Sequence, residues 1–234
     1  MEAPKLPRQF VNFAFYKADS AWRRLTAAQR ERGRKEFASV VDDFRDEMIL
    51  LAYSTVGLRG DCDFLLWRIT ERLEALQEQS AALALTGLGK WLTTPYSYFA
   101  MTKRSMYIRG HEHVDGQPVE SRERIVPGQK KYNFIYPFVK THDWYQLPMD
   151  QRQAMMNEHF KVGHKYPTVK VNTTYSFGLD DQEFVLAFET DSPADFLDLV
   201  MELRESKARP FTERDTPIFT CVRGELTEVL GKLG

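Results

Sequence analysis

The chain has 234 residues, 43% hydrophobic and 28% charged, a composition typical of a globular protein with one large or two small domains. A formal net charge of -1 excludes the strongly basic surface that nucleic-acid binding needs. Cys62 and Cys221 lack the spacing of a zinc site or a disulfide framework, so we expect a reducing cytoplasm. We also expect no export signal and no membrane span, because no sufficiently long apolar run occurs.

The first strand and helix of the chain are repeated later in the sequence. FVNFAFYKADSAWRRLTAAQRERGRKEFASV (10–40) aligns with YNFIYPFVKTHDWYQLPMDQRQAMMNEHFKV (132–162) at an offset of 122 residues. Within this alignment Trp22 matches Trp144. Self-similarity at a fixed offset indicates a duplicated structural module.

The next repeated block is a hairpin. STVGLRGDCDFLLWRI (54–69) aligns with YSFGLDDQEFVLAFE (175–189), and Gly57 falls against Gly178 at an offset of 121. Each block has two strands around a Gly-Leu turn, so each half of the chain is predicted as strand, helix, hairpin, helix. We therefore predict an α+β fold in which two such modules face each other around a barrel-like core.

The second half has the clearer pattern of elements. In chain order, we predict a buried strand at 132–139, a helix from 148 to about 166, a hairpin of strands at 169–177 and 183–189, a helix from 192 to about 207, and a closing strand at 218–224. In the first hairpin strand, Val171 and Thr173 share one face, and Asn172 and Thr174 share the other.

A long polar segment separates the two modules. We predict the first module at 1–101, the second at 132–234, and a surface connection at 102–131. The His-Glu-His sequence at 111–113 lacks a positioned third ligand for a metal, so we interpret it as part of a solvated loop.

The two modules differ at one matched helix position. Phe37 of the first module corresponds to His159 of the second, 122 residues later, and Gly163 one turn on leaves room beside the imidazole. One interpretation is a buried, hydrogen-bonded core histidine. The other is the proximal ligand of haem iron, since the macrocycle supplies the four remaining donors.

Three blocks of the second module resemble the chlorite dismutase-like superfamily. They are YPFVKTHDWYQLP (136–148), EHFKVGHKYP (158–167) and TTYSFGLDDQEF (173–184). The similarity extends over most of the chain. It implies a duplicated fold of two ferredoxin-like modules forming a dimeric α+β barrel within one chain, a homopentameric assembly, and haem bound with His159 as the metal ligand.

Two matched positions distinguish the chlorite-degrading enzymes of this superfamily from its coproheme decarboxylases. The chlorite enzymes carry a distal arginine where this chain has Val171, and a glutamate bonded to the proximal histidine where it has Ala208. An apolar distal residue cannot polarise a chlorite oxyanion as a cationic donor does. The resemblance therefore disfavours chlorite dismutation.

The decarboxylase branch has a tyrosine and a lysine in the strand before the ligand helix, which match Tyr136 and Lys140. The resemblance implies that a Tyr136 radical removes hydrogen from a propionate and that Lys140 orients the propionate or accepts charge from it. Arg204 resembles the propionate-binding arginine. Further candidates for the porphyrin pocket are Trp144, Val171, Arg104 and Arg209, and the duplication of the tryptophan argues first for packing.

The leading hypothesis is an oxidative coproheme decarboxylase that makes haem b from coproheme III with hydrogen peroxide. A second is a haem carrier or sensor, or a peroxidase-like member of the superfamily, that retains His159 without decarboxylase activity. A third is a structural barrel without haem. The distal base for peroxide stays open, because the aligned residue is Arg104 and arginine is not a base at ordinary pH.

Overall fold

The computed structural model describes residues 7–107, 124–128 and 130–234, so the histidine cluster predicted at 111–113 lies outside the described residues. Within these ranges the strands are β1 (Phe10–Ala18), β2 (Met48–Ser54), β3 (Phe64–Thr70), β4 (Leu92–Met101), β5 (Tyr132–Lys140), β6 (Lys170–Tyr175), β7 (Phe184–Thr190), β8 (Thr212–Arg214) and β9 (Phe219–Gly224). The helices are α1 (Ala27–Asp43), α2 (Leu73–Leu85), α3 (His142–Gln146), α4 (Met149–Gly163), α5 (Pro193–Arg204) and α6 (Leu226–Gly231). No described helix has the length and hydropathy needed to cross a bilayer.

The chain divides into two compact units. The first comprises residues 1–102 together with 220–234, and the second comprises 103–219. The predicted modules follow the sequence repeat, whereas these units follow spatial contacts. The difference concerns the C-terminal strand and helix, because β9 pairs antiparallel with β2 and its last residues belong to the first unit.

The first unit has a fully buried hydrophobic core between its sheet and its helices. Strands β4, β1, β3 and β2 are antiparallel neighbours in that order. Helix α1 begins at a capping box, in which Thr26 and Gln29 bond to each other's backbone N–H. Its Phe37 is fully buried and meets the rings of Tyr16 and Phe64 edge-on at 6.2 and 5.9 Å.

The second unit repeats the strand pattern with a different core. Strands β6, β7, β5 and β8 are antiparallel neighbours, with Tyr136 opposite Leu186. Helix α5 packs on this sheet through Phe196, whose ring stacks on Phe134 at 4.0 Å. The predicted strands at 132–139 and 183–189 are confirmed as β5 and β7, and the predicted helices as α4 and α5.

Strand β6 alternates as predicted, with the polar side turned inward. Asn172 and Thr174 are buried, and their side chains bond to Glu189 and to the Val185 carbonyl. Val171, on the opposite side, is 52% exposed. A strand that buries its polar residues and exposes an apolar one reverses the usual arrangement, so the outer side of β6 is a candidate ligand surface.

Two helical glycines give a test of the difference in packing between α1 and α4. A Cβ at Gly33 would lie 2.8 Å from the Leu88 backbone nitrogen, whereas a Cβ at Gly163 would meet no atom within 4 Å. We expect Gly33→Ala to lower the free energy of unfolding by about 2 kcal/mol, because backbone must move. Gly163→Ala should stay within about 0.5 kcal/mol of the parent or be more stable. Urea unfolding measures both, and equal losses in the two variants would contradict this account.

Candidate functional site

The helix α4 lacks the buried residues that its counterpart has. Helix α1 buries Gly33, Phe37 and Val41, whereas none of the side chains of α4 is fully buried. Val162 of α4 contacts the aromatic cluster on β5, β7 and α5 at its edge. Helix α4 therefore lacks the buried apolar face with which α1 packs on its sheet.

Strand register aligns the predicted site residues of the second unit with small or apolar residues at the matched positions of the first. Ala14 pairs with Leu66 as Tyr136 pairs with Leu186, which fixes offsets of 122 for β1 and 120 after the hairpin. At these offsets the replacements from first to second module are Ala14 to Tyr136, Ala18 to Lys140, Phe37 to His159, Ala84 to Arg204 and Gly89 to Arg209. The same backbone arrangement therefore has small or apolar residues at these positions in the first module and polar residues in the second.

His159 is held in its neutral form. The side chain is partly exposed, and desolvation together with the positive charge of Lys140 lowers its pKa from 6.5 to about 4. A neutral imidazole keeps a lone pair available for a metal. Among the described residues, no group of three or more histidine, cysteine, aspartate or glutamate side chains could hold a metal ion. A metal at His159 would therefore need most of its donors from outside the chain.

Lys140 contacts a tryptophan and acts electrostatically on His159. Its ammonium is 4.3 Å from the centroid of a Trp144 ring and donates to the Ala208 carbonyl at 3.3 Å. Burial lowers the Lys140 pKa to about 8, a shift that Glu183 opposes and Arg209 reinforces. Its weakly solvated charge acts on His159 at short range, because little water screens it.

Tyr136 is buried in the sheet beside a charged cluster. Its ring stacks on that of Phe188 at 5.6 Å. Burial raises the pKa of the phenol and Asp215 raises it further, while Arg204 and Arg209 act in the opposite direction. Tyr136 therefore stays protonated near neutral pH.

The two arginines are bound to one carboxylate. The Nη1 atoms of Arg204 and Arg209 donate to the same Oδ2 of Asp215, at 2.5 and 2.7 Å. Sequence reasoning missed Asp215. The only signal was a carboxylate in the Thr-Glu-Arg-Asp-Thr run after the predicted helix, with nothing to indicate that the chain would bring it to both arginines.

The remaining predicted residues differ in their surroundings. Trp144 is buried against Phe211, with ring centroids 5.6 Å apart, which agrees with a packing role. Val171 is paired with Phe188, the residue that stacks on Tyr136. Arg104 is exposed, and its place in the pocket stays a prediction.

Sequence reasoning also missed Glu183. One carboxylate oxygen of Glu183 accepts the backbone N–H of Lys140 at 2.7 Å and the hydroxyl of Tyr145 at 2.6 Å. This residue lies inside the Gly-Leu-Asp-Asp block that carries the resemblance, but nothing in the sequence pattern singled it out. It fixes the end of β5 from which Lys140 projects.

Comparison with known proteins agrees with this architecture. The chain matches the family model described as Chlorite dismutase over residues 30–224. The coproheme decarboxylase of Mycolicibacterium smegmatis is 33% identical over 184 residues, covering 77% of this chain and 75% of that protein. The structure of chlorite dismutase from Candidatus Nitrospira defluvii in complex with imidazole is 26% identical, with a TM-score of 0.85 and coverage of 96% and 94%. A structure described as a novel heme-binding protein from Thermus thermophilus is 23% identical, with a TM-score of 0.83 and coverage of 100% and 99%.

These matches show a mixed α+β fold of two ferredoxin-like modules, as the resemblance implied. The duplication agrees with the sequence repeat. The chain belongs to the chlorite dismutase family. The predicted resemblance and fold class are thereby confirmed.

The lowered pKa of His159 predicts an acid-dependent loss of stability in the protein without ligand. Between pH 6.5 and about 4 the unfolded chain binds a proton at this histidine and the folded chain does not, so stability falls as the pH drops. We expect His159→Phe, which installs the residue of the first module, to remove about 2 kcal/mol of this pH dependence. The control is His142→Phe, the same substitution at a histidine exposed on α3. Urea unfolding at several pH values measures the effect, and an unchanged slope in His159→Phe would contradict it.

Proposed function

We propose that the chain binds an iron porphyrin through His159 and converts coproheme III into haem b with hydrogen peroxide as the oxidant. The observation that carries the proposal is the replacement pattern between the modules. The first module fills its core with small or apolar residues at the positions where the second has Tyr136, Lys140 and His159. A duplicated core that is opened on one side only, and lined there with these groups, is suited to a ligand rather than to packing alone.

The residues around His159 fit an iron porphyrin. A porphyrin supplies four equatorial nitrogens, so a single neutral imidazole is sufficient as the protein's axial ligand. The exposed apolar side chain of Val171 suits the face of a flat macrocycle. The guanidinium groups of Arg204 and Arg209 suit the carboxylates at its edge.

When bound, the iron porphyrin supplies the redox chemistry with peroxide, and the chain supplies position and electrostatics. Tyr136 enters as a neutral phenol because its raised pKa keeps the proton. Once oxidised, Tyr136 takes a hydrogen atom from the β-carbon of a propionate and is restored as phenol. The propionate then loses carbon dioxide and one further electron, which returns to the peroxide-oxidised group, and a vinyl group is left. Each propionate consumes one hydrogen peroxide and one proton, and releases one carbon dioxide and two water molecules.

The charge beside His159 favours decarboxylase over chlorite chemistry. A carboxylate bonded to a metal-bound histidine increases its electron donation, whereas a nearby cation decreases it. In this chain Ala208 stands where the resemblance places that carboxylate, and its carbonyl oxygen accepts a hydrogen bond from Lys140. The cation next to His159 is therefore Lys140.

Relatives support the same branch. The Mycolicibacterium smegmatis protein, 33% identical over 77% of this chain, is a coproheme decarboxylase. The proposal includes coproheme III and hydrogen peroxide as small-molecule partners, a homopentameric assembly, and action in the cytoplasm.

Tyr136 gives the central test of the reaction. Iron coproporphyrin III is mixed with the protein, hydrogen peroxide is added in steps, and porphyrin masses are followed. The parent should give two successive losses of carbon dioxide and two hydrogens, ending at haem b. We expect Tyr136→Phe to bind the porphyrin and to slow conversion by roughly a hundredfold or more, because the oxidisable phenol that accepts the hydrogen atom is removed.

Tyr132→Phe is the matched control, since Tyr132 lies on the same face of the same strand and should retain conversion. A parent protein that binds the porphyrin but leaves all four propionates intact would reject the decarboxylase in favour of a carrier or sensor. A parent protein that gives no Soret change on titration would favour a barrel that takes no haem.

His159→Ala tests the ligand. We expect the Soret band of the bound ferric porphyrin to change to that of a species without the imidazole, and retention on a desalting column to drop at least about tenfold. His142→Ala is the control, because His142 is exposed on α3 and bonds to Gln146. An unaltered spectrum and unaltered retention in His159→Ala would remove the basis of the proposal.

A further inference from the structure

A cluster of three charged residues joins three separate segments of the second unit. The cluster consists of Arg204, Arg209 and Asp215. Arg204 ends α5, Arg209 begins the 3-10 turn Arg209–Phe211, and Asp215 follows β8. One oxygen, Oδ2 of Asp215, receives an Nη1 donor from each arginine at 2.5 and 2.7 Å. Two guanidinium groups are thereby held close together in spite of their mutual repulsion.

The three side chains of the cluster differ in their exposed fractions. The aspartate side chain is 15% exposed, whereas those of Arg204 and Arg209 are 38% and 35% exposed. The aspartate side chain is therefore the most buried of the three, and both arginine side chains keep part of their surface exposed. Each guanidinium has five N–H donors, and the contact with Asp215 uses the Nη1 atom of each.

The charges of the cluster favour one further carboxylate. Two guanidinium groups and one aspartate leave a net charge of +1, so a single added carboxylate makes the group neutral. The cluster also acts electrostatically on Tyr136, through Asp215, Arg204 and Arg209 together.

We propose that Asp215 is a positioning residue that fixes Arg204 and Arg209 as a single receptor for one propionate of the porphyrin. This inference rests on the proposed function for the identity of the ligand. Asp215 does not contact the propionate itself, because a carboxylate repels a carboxylate. It acts by holding two donor groups in one orientation before the substrate arrives, which reduces the ordering cost of binding.

Removal of Asp215 changes the porphyrin affinity in opposite directions if Asp215 orients the arginines and if it competes with the propionate for their donors. If Asp215 only occupied donors that the propionate needs, its removal would strengthen binding of an anionic porphyrin, since a negative charge disappears. If Asp215 orients the donors, its removal weakens binding in spite of that charge change. The test is titration of the full chain with iron coproporphyrin III, without peroxide, followed by absorption.

We expect Asp215→Asn to weaken binding of iron coproporphyrin III about tenfold. The double variants Asp215→Asn/Arg204→Gln and Asp215→Asn/Arg209→Gln should show little additional loss over the arginine variants alone, because the aspartate then has less to orient. Asp215→Glu, which keeps a carboxylate, should recover part of the affinity. Asp198→Asn is the control, an exposed carboxylate on the same helix as Arg204.

Tighter binding by Asp215→Asn would overturn the inference, as would fully additive losses in the double variants. The fraction of folded protein is measured for each variant by circular dichroism, so that affinity is expressed per folded chain. A purely structural role would lower stability and leave that affinity unchanged, which also counts against the inference. Since no peroxide is added, the result does not depend on whether the chain decarboxylates its porphyrin.

Discussion

The incomplete burial of helix α4 is the constraint on which the rest of the second unit depends. A helix on a sheet normally gains its stability by burying one apolar face, as α1 does with Phe37 and Val41. Helix α4 buries no residue fully and instead carries His159, whose neutral form is favoured by desolvation and by Lys140. The packing energy that α1 gains is absent from α4, which carries instead the predicted metal ligand His159 in a neutral form. Regions that hold ligands are often less stable than the core for this reason.

The duplication explains how a site could be opened without loss of the fold. Both units keep the antiparallel order of four strands and a buried tryptophan, Trp22 or Trp144, at the start of the helical layer. The first unit retains fully buried aromatic packing around Phe37, which supplies hydrophobic stability. At the matched positions 14, 18 and 37 the first unit keeps buried apolar residues, and the polar replacements Tyr136, Lys140 and His159 occur in the second unit.

The sequence predicts the duplicated α+β plan and the principal site residue for one physical reason: both depend on local periodicity compared between two copies. His159 stands out because Phe37 occupies the same position in a packed helix. Periodicity does not say which face of β6 is buried, since a period of two is satisfied by either choice. Asp215 and Glu183 could not be predicted, because their partners come from segments distant in the chain and meet only through tertiary structure.

Nearby charges affect the protonation states of the two predicted site residues, His159 and Tyr136. Lys140 places a poorly solvated positive charge near His159, so the imidazole is kept neutral and its donation to a metal is moderated. Around Tyr136 the balance is different, because Asp215 offsets one of the charges of Arg204 and Arg209. A phenol in that setting stays protonated, yet lies beside a region that attracts carboxylates. In the proposed reaction, oxidised Tyr136 takes a hydrogen atom from a propionate and becomes a neutral phenol again. The reaction needs this combination, because a site without cations would not hold the propionate.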